Sequence, residues 1–464
     1  MDDEQWSRDR TARAEEARLV AARLHAEGAA GVLLTWVDNA GLTRVKGVPV
    51  RRLEHAAAWG VGMSPIFDVF LVDDSITESR FIGGPGGDLR LFPDLDRAVP
   101  LAAQPGWAWA PVDRYTQDGT PHPGCQRRFA RRMVDRALAL GLEFRCAFEV
   151  EWVAARADGP PEEIAYPTRG PAYGMGRVID LSDCLRDLLR ALDEQGIAVH
   201  QVHPEYAPGQ YELSVAPEDP VAAADTCVLV RQTVRAVSAR HGLRVSFAPA
   251  VEAGGVGNGG HLHLSLWRGG SNLCHGGTGP HGLTGEAEAF LAGVLAELPA
   301  LVAVGAPGPG SPLRLVPSHW AGAYRCWGRE NREAALRLVT GSSGEEGSAA
   351  NVEVKCFDGA ANPYLAVGAV IAAGLAGLEA GRTLPPEAHG DPATWPPEQA
   401  ARLGVERLPQ SLPEAIGHFE RSELLREAMG EVLHEAFRAV RQGEAELYAD
   451  ATPEEVAAAT RWRY

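Results

Sequence analysis

The chain has 464 residues, of which 45% are hydrophobic and 23% charged, enough for two or three domains of ~150 residues. Lys and Arg total 44 against 61 Asp and Glu, which gives a formal net charge of −17. This acidic balance disfavours nonspecific binding to nucleic acids or anionic membranes, because both need a basic surface. It is compatible with a site that gathers carboxylates around cations.

Seven cysteines are spread singly without a CxxC pair, which predicts reduced core residues rather than disulfides or a thiolate zinc site. The charged amino terminus lacks the apolar run of a signal peptide. The longest apolar stretch that we identify, 363–378, is shorter than the ~20 residues that span a bilayer. We therefore expect a cytoplasmic protein with neither nucleic acid nor membrane as a partner.

Apolar residues at helical spacing predict a helix over 11–27 that ends at Gly28. Two β-rich runs follow, VLLTWV and TRVKGVPV, and the turn 38–41 between them predicts a hairpin. A Gly/Pro-rich passage leads out of this region, so we place a boundary near 109–113. The predicted division is a helical arm over 1–28, a small sheet domain over 29–112 and a larger domain over 113–464.

Three helices are predicted in the larger domain, over 125–141, 182–196 and 218–242. Ser182 is the expected N-cap of the second, and Asp219 before Pro220 marks the start of the third. The proline-rich stretch 384–413 predicts a long loop before two carboxy-terminal helices.

Four predicted strands have an apolar face and a face with Glu, His or Lys: EFRCAFEVEWV, GQYELSV, GHLHLSLW and NVEVKCF. Any one of them fits an ordinary amphipathic strand. Glutamate is a poor strand former, however, and carboxylates on one surface repel each other unless a cation lies among them. Divalent ions such as Mg²⁺ or Mn²⁺ prefer oxygen ligands and tolerate imidazole. The four strands together predict a metal cluster on a curved sheet.

Two further features extend this hypothesis. A turn at Pro208-Gly209 would bring Glu205 and Glu212 to one ion, although the spacing fits a loop glutamate in water equally well. Several arginines also cluster in this acidic chain: Arg314, Arg325, Arg329, Arg332 and Arg337. Guanidinium groups bind carboxylates and phosphates through paired hydrogen bonds. Beside metal ions, they favour a nucleoside triphosphate and a carboxylic acid as substrates.

Six segments occur in an order that resembles the catalytic motifs of the glutamine synthetase superfamily: FEVEW, HPEYAPGQYEL, GNGGHLHLSLW, RLVP, ENREAALRL and VEVKCFDGAANPYL. The resemblance covers most of the chain from about residue 30, and it is closer to the FluG, nodulin-like and bacterial γ-glutamylamide (polyamine or ethanolamide) synthetase branch than to housekeeping enzymes. It implies an α+β fold: an amino-terminal β-grasp domain, then a catalytic domain whose curved antiparallel sheet is flanked by helices. It also implies self-association into hexameric rings, stacked as a dodecamer, with sites between neighbouring subunits.

The resemblance further implies ATP as co-substrate and two Mg²⁺ or Mn²⁺ sites per subunit. One ion would be held by Glu151, Glu205 and Glu212, and the other by Glu149, His261 and Glu353. The residues expected to face ATP and its phosphates are His263, Arg332 and Arg337. Arg314 would bind the glutamate carboxylate. Asp38 would reach the acceptor-amine site of an adjoining subunit, which Tyr173 would also line. The expected catalytic residues are Arg332, Asp38 and Glu353.

Two departures from the family pattern bear on the substrates. Trp320 stands where ammonia-using members usually carry a glutamate that binds ammonium, and an indole could instead pack on the carbon skeleton of a larger amine. The family's R-x-E-x-R strand is Asn351-Val352-Glu353-Val354-Lys355 here, so Lys355 keeps the positive charge on the substrate side but lacks the guanidinium fork.

The predicted activity is an ATP-dependent ligase that joins the γ-carboxylate of L-glutamate to an amine through a γ-glutamyl phosphate. An organic amine, whether a monoamine, ethanolamine or a polyamine, is favoured over ammonia. Two alternatives stay open: glutamine synthesis from ammonia, and a catalytically silent regulatory protein on the same scaffold. All six expected metal ligands are present, which weighs against the silent protein.

Overall fold

The computed structural model describes residues 3–160 and 163–464. Its first part is a mixed sheet with two helices: α1 (Asp3–Ala26), β1 (Gly31–Val37), β2 (Thr43–Pro49), α2 (Leu53–Trp59), β3 (Val61–Met63), β4 (Leu89–Pro93), β5 (Val99–Pro100) and β6 (Trp107–Thr116). The strand order is β2-β1-β6-β4-β3, with β5 on β6. The predicted hairpin is confirmed, since β1 and β2 pair antiparallel. Helix α1 buries Ala17 and Leu24 against this sheet, and it begins earlier than predicted.

The second part alternates helices and strands: α3 (Gln126–Ala139), β7 (Glu143–Phe148), β8 (Val150–Arg156), α4 (Met175–Asp180), α5 (Ser182–Glu194), β9 (Val199–Pro204), β10 (Gln210–Val215), α6 (Pro220–Arg240), β11 (Leu243–Ser246), β12 (Leu262–Arg268), β13 (Ser271–Asn272) and α7 (Gly285–Gly305). Next come α8 (Ser311–Arg314), β14 (Tyr324–Arg329), β15 (Ala334–Val339), α9 (Glu346–Ala349), β16 (Asn351–Val354), α10 (Pro363–Glu379), α11 (Pro397–Leu403) and β17 (Glu406–Arg407). The last helices are α12 (Leu412–Arg421), α13 (Glu423–Met429), α14 (Glu431–Leu447) and α15 (Pro453–Thr460).

These strands form two sheets that share one large hydrophobic core with the helices. One has the order β11-β8-β10-β9, and the other has the order β13-β12-β16-β15-β14-β17, with β7 added on β12. The pairs that carry the candidate site residues are antiparallel, whereas β14 and β15 are parallel. The predicted α+β class is confirmed.

The predicted strand EFRCAFEVEWV is wrong as a single element. It is two strands in different sheets, because β7 pairs with β12 while β8 pairs with β10 and β11. The change occurs at Glu149, whose backbone N–H donates to the carbonyl of His261 at 2.9 Å. Glu151 and Val153 are buried along with Trp152, so the expected alternation of exposed and buried residues is absent in β8.

Helix boundaries differ from the predictions in two places. Ser182 is not an N-cap, because α4 runs almost directly into α5 and Leu181 occupies the cap position without a side-chain bond. The segment 384–413 contains α11 and β17, and four helices follow rather than two. Pro397 and Pro413 occupy first-turn positions of α11 and α12, where their fixed φ starts a helix instead of ending one. The Asp219 cap is confirmed by its bond from the Val221 N–H at 3.0 Å.

Helix α7, with 21 residues, is longer than the 363–378 stretch that the sequence singled out, which lies in α10. Among the described residues it is the one helix whose length and composition would let it cross a membrane, and 78% of its most apolar window is buried within the chain. It packs on α10 at Gly293 and Gly377, where a Cβ on Gly293 would lie 2.4 Å from the Ala373 carbonyl oxygen. All seven cysteines are free and buried, as predicted.

Candidate active site

The edge where β7, β12 and β16 meet carries three of the predicted ligands. Strand β12 lies between the other two, and its Leu262 is opposite both Phe148 and Val354. The residues next to these positions, Glu149, His261 and Glu353, are therefore neighbours across the strands. We call these three residues the first cluster.

The first cluster has ligand atoms within 4.8 Å of one another. The Nδ1 atom of His261 lies 3.0 Å from Glu149 Oε2 and 3.3 Å from Glu353 Oε1. All three side chains are largely buried, at 7%, 20% and 1% exposure for His261, Glu149 and Glu353. Two carboxylates and an imidazole form a donor set that suits a divalent cation.

Cationic side chains surround Glu353. Lys355 Nζ donates to its Oε1 at 2.9 Å, and Arg337 NH1 donates to its Oε2 at 3.0 Å. Burial opposes ionisation of this carboxyl, but the neighbouring charges, that of Lys355 first, lower its pKa to about 2. Glu353 is therefore held as a carboxylate, and the predicted residues Arg337 and Lys355 lie against the cluster.

Arg314 lies on the other side of His261. Its NH2 donates to His261 Nε2 at 2.9 Å and to the Lys355 carbonyl at 3.1 Å. The other terminal nitrogen, NH1, is buried without a hydrogen-bond partner within the described residues. Burial and the charge of Lys355 lower the pKa of His261 to about 4, so this imidazole is neutral. A buried guanidinium with an unused donor fits the predicted role of Arg314 as a carboxylate-binding residue.

His263 provides a further positive charge beside the first cluster. Its Nε2 lies 3.2 Å from Glu149 Oε1, and Nδ1 is 2.9 Å from Asn351 Oδ1. Burial lowers the pKa of His263, but Glu149 outweighs this effect and the pKa rises to about 9. The imidazolium is suited to contact phosphate oxygens.

A second cluster consists of His203, Glu205 and Glu212, whose ligand atoms also lie within 4.8 Å of one another. Nδ1 of His203 is 3.4 Å from Glu205 Oε1, and Nε2 is 3.3 Å from Glu212 Oε1. The predicted turn does bring the two glutamates together. It requires glycine at 209, where φ is +67° and a Cβ would lie 2.6 Å from the Ala154 carbonyl oxygen.

His203 was not among the residues predicted from the sequence. The signal that could have found it is its place in the HPEYAPGQYEL segment, nine residues before Glu212. With a turn centred between them, this spacing makes the two residues face each other across β9 and β10, and the register pairs His203 with Glu212.

Glu151 lies between the clusters and directly opposite Glu212 in the β8–β10 register. It accepts a hydrogen bond from the Gly259 N–H at 2.8 Å and one from Gln210 Nε2 at 3.2 Å. Burial and the negative charge of Glu212 raise the pKa of Glu151 to about 8. Carboxylates crowded in this way are stabilised by a cation, so the residues present fit a divalent metal ion.

Of three further predicted site residues, Tyr173 contacts the second cluster, whereas the exposed Trp320 and Arg332 contact each other. The Tyr173 hydroxyl donates to Glu205 Oε2 at 2.8 Å, which places this half-exposed residue at the second cluster. The Trp320 indole is 56% exposed, and the Arg332 guanidinium lies 5.8 Å from its ring centre.

Glu333 anchors the loop that carries Trp320 and was not selected from the sequence. Its Oε1 accepts from the Trp320 N–H at 2.8 Å, and its Oε2 is buried without a partner within the described chain. Ser318 and Trp320 both have positive φ, at 60° and 56°, so the loop is strained and needs such a bond.

Asp38 is in a different environment. Its carboxylate is fully buried at the end of β1, where it accepts from Arg44 at 2.6 Å and from the Leu42 N–H at 2.9 Å. Burial raises its pKa to about 6 despite the positive charge of Arg44. Asn362 donates to the Asp38 carbonyl at 3.1 Å and ties this turn to the start of α10.

Comparison with known proteins agrees with this geometry. Residues 123–458 match the glutamine synthetase catalytic domain family. The chain is 58% identical over 451 residues to the gamma-glutamylpolyamine synthetase GlnA3 of Streptomyces coelicolor, with 97% of each chain covered. It is 30% identical to the glutamine synthetase of Pyrococcus horikoshii, with 86% of each chain covered.

Solved structures give the same result. A glutamine synthase homolog superposes with a TM-score of 0.84 at 34% identity, over 94% of this chain and 99% of that one. A GmaS/ADP complex superposes with a TM-score of 0.80 at 26% identity, over 93% and 97% of the two chains. The chain belongs to the glutamine synthetase family.

Proposed function

We propose that this protein is an ATP-dependent ligase that joins the γ-carboxylate of glutamate to a polyamine. The observation that carries this proposal is the convergence of two carboxylate–histidine clusters with Arg314, Arg337 and Lys355 in one site. This arrangement suits substrates with several negative charges, such as ATP and glutamate. The polyamine comes from the name of the relative that is 58% identical over almost the whole chain.

The proposed reaction has two steps. An oxygen of the γ-carboxylate attacks the terminal phosphorus of ATP and ADP leaves, which gives an acyl phosphate. The amine nitrogen then attacks the acyl carbon, phosphate leaves with the electrons of the broken C–O bond, and the nitrogen loses a proton to a base. Asp38 of an adjoining subunit is our candidate for the group at the acceptor amine.

The residues of this chain would position and neutralise the reactants. The free NH1 of Arg314 would bind the glutamate carboxylate, while His263, Arg332 and Arg337 would contact phosphate oxygens. We assign one Mg²⁺ or Mn²⁺ to the first cluster and one to Glu151, Glu205 and Glu212, with His203 beside the second ion. Such ions supply charge neutralisation on the transferred phosphoryl group.

Trp320 supports an organic amine over ammonia. The indole offers apolar surface and is 56% exposed. The family resemblance implies a glutamate at this position in ammonia-using members. The methylene groups of a polyamine can pack on such a ring, and a cationic nitrogen can lie over its face.

The test measures phosphate release from Mg-ATP and glutamate with putrescine, spermidine, ethanolamine, isopropylamine or ammonia, and identifies the product by mass spectrometry. We expect a γ-glutamyl product from putrescine or spermidine, with kcat/KM at least tenfold above that for ammonia. Turnover with ammonia alone would establish glutamine synthesis instead. Inactivity across the panel, with a folded protein that binds ATP, would favour the regulatory alternative.

We further propose that the chain assembles into hexameric rings stacked as a dodecamer, which mass photometry can test. It would divide into an arm over 1–28, a β-grasp domain over 29–112 and a catalytic domain over 113–464, with β6 continuing across the second boundary. It would act in the cytoplasm, in keeping with the burial of α7 inside the chain.

A further inference from the structure

A basic pocket of about 280 Å³ lies between the β1–β2 hairpin, helix α6 and residues 462–464. None of its lining residues belongs to the two clusters of the candidate active site. Its charged side chains are four arginines and one carboxylate: Arg44, Arg231, Arg235, Arg463 and Asp74. This excess of positive charge contrasts with the net charge of −17 for the whole chain.

The one carboxylate is already shared. Asp74 accepts from Arg44 NH1 at 2.8 Å through Oδ1, and from Arg463 NH1 at 2.8 Å through Oδ2. Arg44 also binds Asp38, yet its NH2 is buried without a hydrogen-bond partner among the residues described. Arg44 therefore keeps an unused hydrogen-bond donor even though its charge is paired with Asp38 and Asp74.

Arg231 and Arg235 lie on one face of α6 without a neutralising partner. Over the described residues, neither has a carboxylate oxygen within 4.0 Å, and the charge of Arg231 reaches the buried Asp358 only from beyond that distance. Within 3–160 and 163–464, the buried Nε of Arg231 has no hydrogen-bond partner, and the hydrogen bond of Arg235 is to the Val245 carbonyl, at 3.5 Å.

Phe247 holds the two guanidinium groups in place. Their Cζ atoms lie 6.0 Å and 5.0 Å from the centre of the Phe247 ring, for Arg231 and Arg235 respectively. Burial and the neighbouring charge of Arg231 lower the pKa of Arg235 to about 10. Two adjacent, partly buried cations are costly without a counterion, and planar guanidinium groups match the oxygens of phosphates and carboxylates.

We propose that this pocket binds a small oxyanion with at least two negative charges, either a phosphate or a dicarboxylate, through Arg44, Arg231 and Arg235. Its volume is below the ~300–1,000 Å³ of typical drug-sized sites, which favours a compact ligand. A bound oxyanion would link α6 to the hairpin next to Asp38. The proposal does not depend on the ligase activity.

The test compares thermal unfolding of the full-length protein, without Mg²⁺ or ATP, in chloride, phosphate and malonate at equal ionic strength. We expect phosphate, malonate or both to raise the Tm by several degrees over chloride. Arg235→Gln and, independently, Arg231→Gln should remove this increase and weaken binding at least tenfold in calorimetry. Both variants lose a partly buried charge that has no carboxylate partner among the described residues, so they should fold as well as the parent protein.

Two control variants separate this site from other effects. Arg240→Gln removes an exposed arginine from the end of the same helix and should keep the full anion response. Arg332→Gln removes a candidate phosphate contact of the active site and should also keep it. An equal response of the parent protein and of both pocket variants, or its loss in Arg332→Gln alone, would overturn the proposal. Comparison of phosphate with malonate identifies the class of ligand.

Discussion

The carboxylates of the two clusters differ in how far neighbouring positive charges compensate them. The carboxylates of the first cluster, Glu149 and Glu353, are compensated by His263, Lys355 and Arg337. At Glu212 of the second cluster and at the adjacent Glu151, burial and nearby carboxylates raise the pKa of both groups, although His203 partly offsets this at Glu212. Bound cations should therefore stabilise the second cluster more than the first.

The substitution Glu353→Gln should destabilise the metal-free protein. It leaves the buried Lys355 ammonium without a carboxylate partner among the described residues and Arg337 with Glu330 alone, which we expect to cost about 3 kcal/mol and to lower the Tm. Activity should fall by at least about 100-fold because a metal ligand is lost. Thermal unfolding and phosphate release measure the two effects. Glu345→Gln, at an exposed position, is the matched control and should change neither.

The same change at the second cluster should act in the opposite direction on stability. Glu212→Gln removes one of the crowded carboxylates opposite Glu151, so the Tm of the metal-free protein should rise. Addition of Mg²⁺ should raise the Tm of the parent protein and have much less effect on this variant. A metal-free Tm that falls as far as in Glu353→Gln would contradict this account of the charges.

Among the secondary-structure elements, the sequence patterns predicted where the strands lie in the chain better than they predicted which sheet each strand joins. Period-two alternation identified β10, β12 and β16, because their apolar residues face the shared core. Nothing local marks the change of sheet at Glu149, since it depends on which distant strands pair with β7 and β8. His203 and Glu333 were missed for the same reason: both act through contacts set by tertiary pairing. The residues of the first cluster could be predicted because they lie in segments whose order along the chain resembles that of the family motifs.

The loop between α8 and β14 should depend on Glu333. Glu333→Gln weakens the bond that holds the Trp320 N–H, so the strained loop should become mobile and the acceptor should bind less well. We expect KM for the amine to rise about fivefold or more, with little change in KM for ATP, since a lost charged hydrogen bond is worth about 1.5 kcal/mol. Steady-state kinetics measures both. An equal rise of the two KM values would indicate a general structural defect instead.

His122, which lies between β6 and α3, should make the stability of the folded protein depend on pH. This side chain is buried next to Arg114, and burial and that charge lower its pKa to about 4. The folded protein therefore keeps His122 neutral. The contribution of this buried neutral imidazole to the free energy of unfolding is complete above pH 6.5 and is lost as the pH falls towards 4. At pH 5 the loss is about 2 kcal/mol.

His122→Gln should remove this pH dependence. Between pH 8 and pH 5 the Tm of the parent protein should fall further than that of the variant, in unfolding scans at equal ionic strength. Buried acids with raised pKa values, such as Glu444, act in the opposite direction in both proteins, so the comparison isolates the histidine. Parallel Tm curves for the two proteins would show that His122 does not titrate in this way.

At the scale of the whole molecule, Asp38 requires an explanation that one chain does not provide. Its carboxylate is fully buried and paired with Arg44, whereas the two clusters lie on the strands of the second part of the chain. If each active site combines Asp38 of one subunit with the clusters of its neighbour, two inactive variants should complement each other in a mixed oligomer. Asp38→Asn keeps the bond from Leu42 and leaves Arg44 paired with Asp74, so the fold should survive.

Co-expression of Asp38→Asn with Glu353→Gln should restore activity. In a random mixture of equal amounts, half of the sites carry an intact cluster, and half of those face an intact Asp38, so about a quarter of the parent activity should return. Glu212→Gln mixed with Glu353→Gln is the control. Both changes lie in clusters supplied by the same chain, every site keeps one defect, and activity should stay at the level of the single variants. The same result for the Asp38 mixture would show that Asp38 does not act across the subunit boundary.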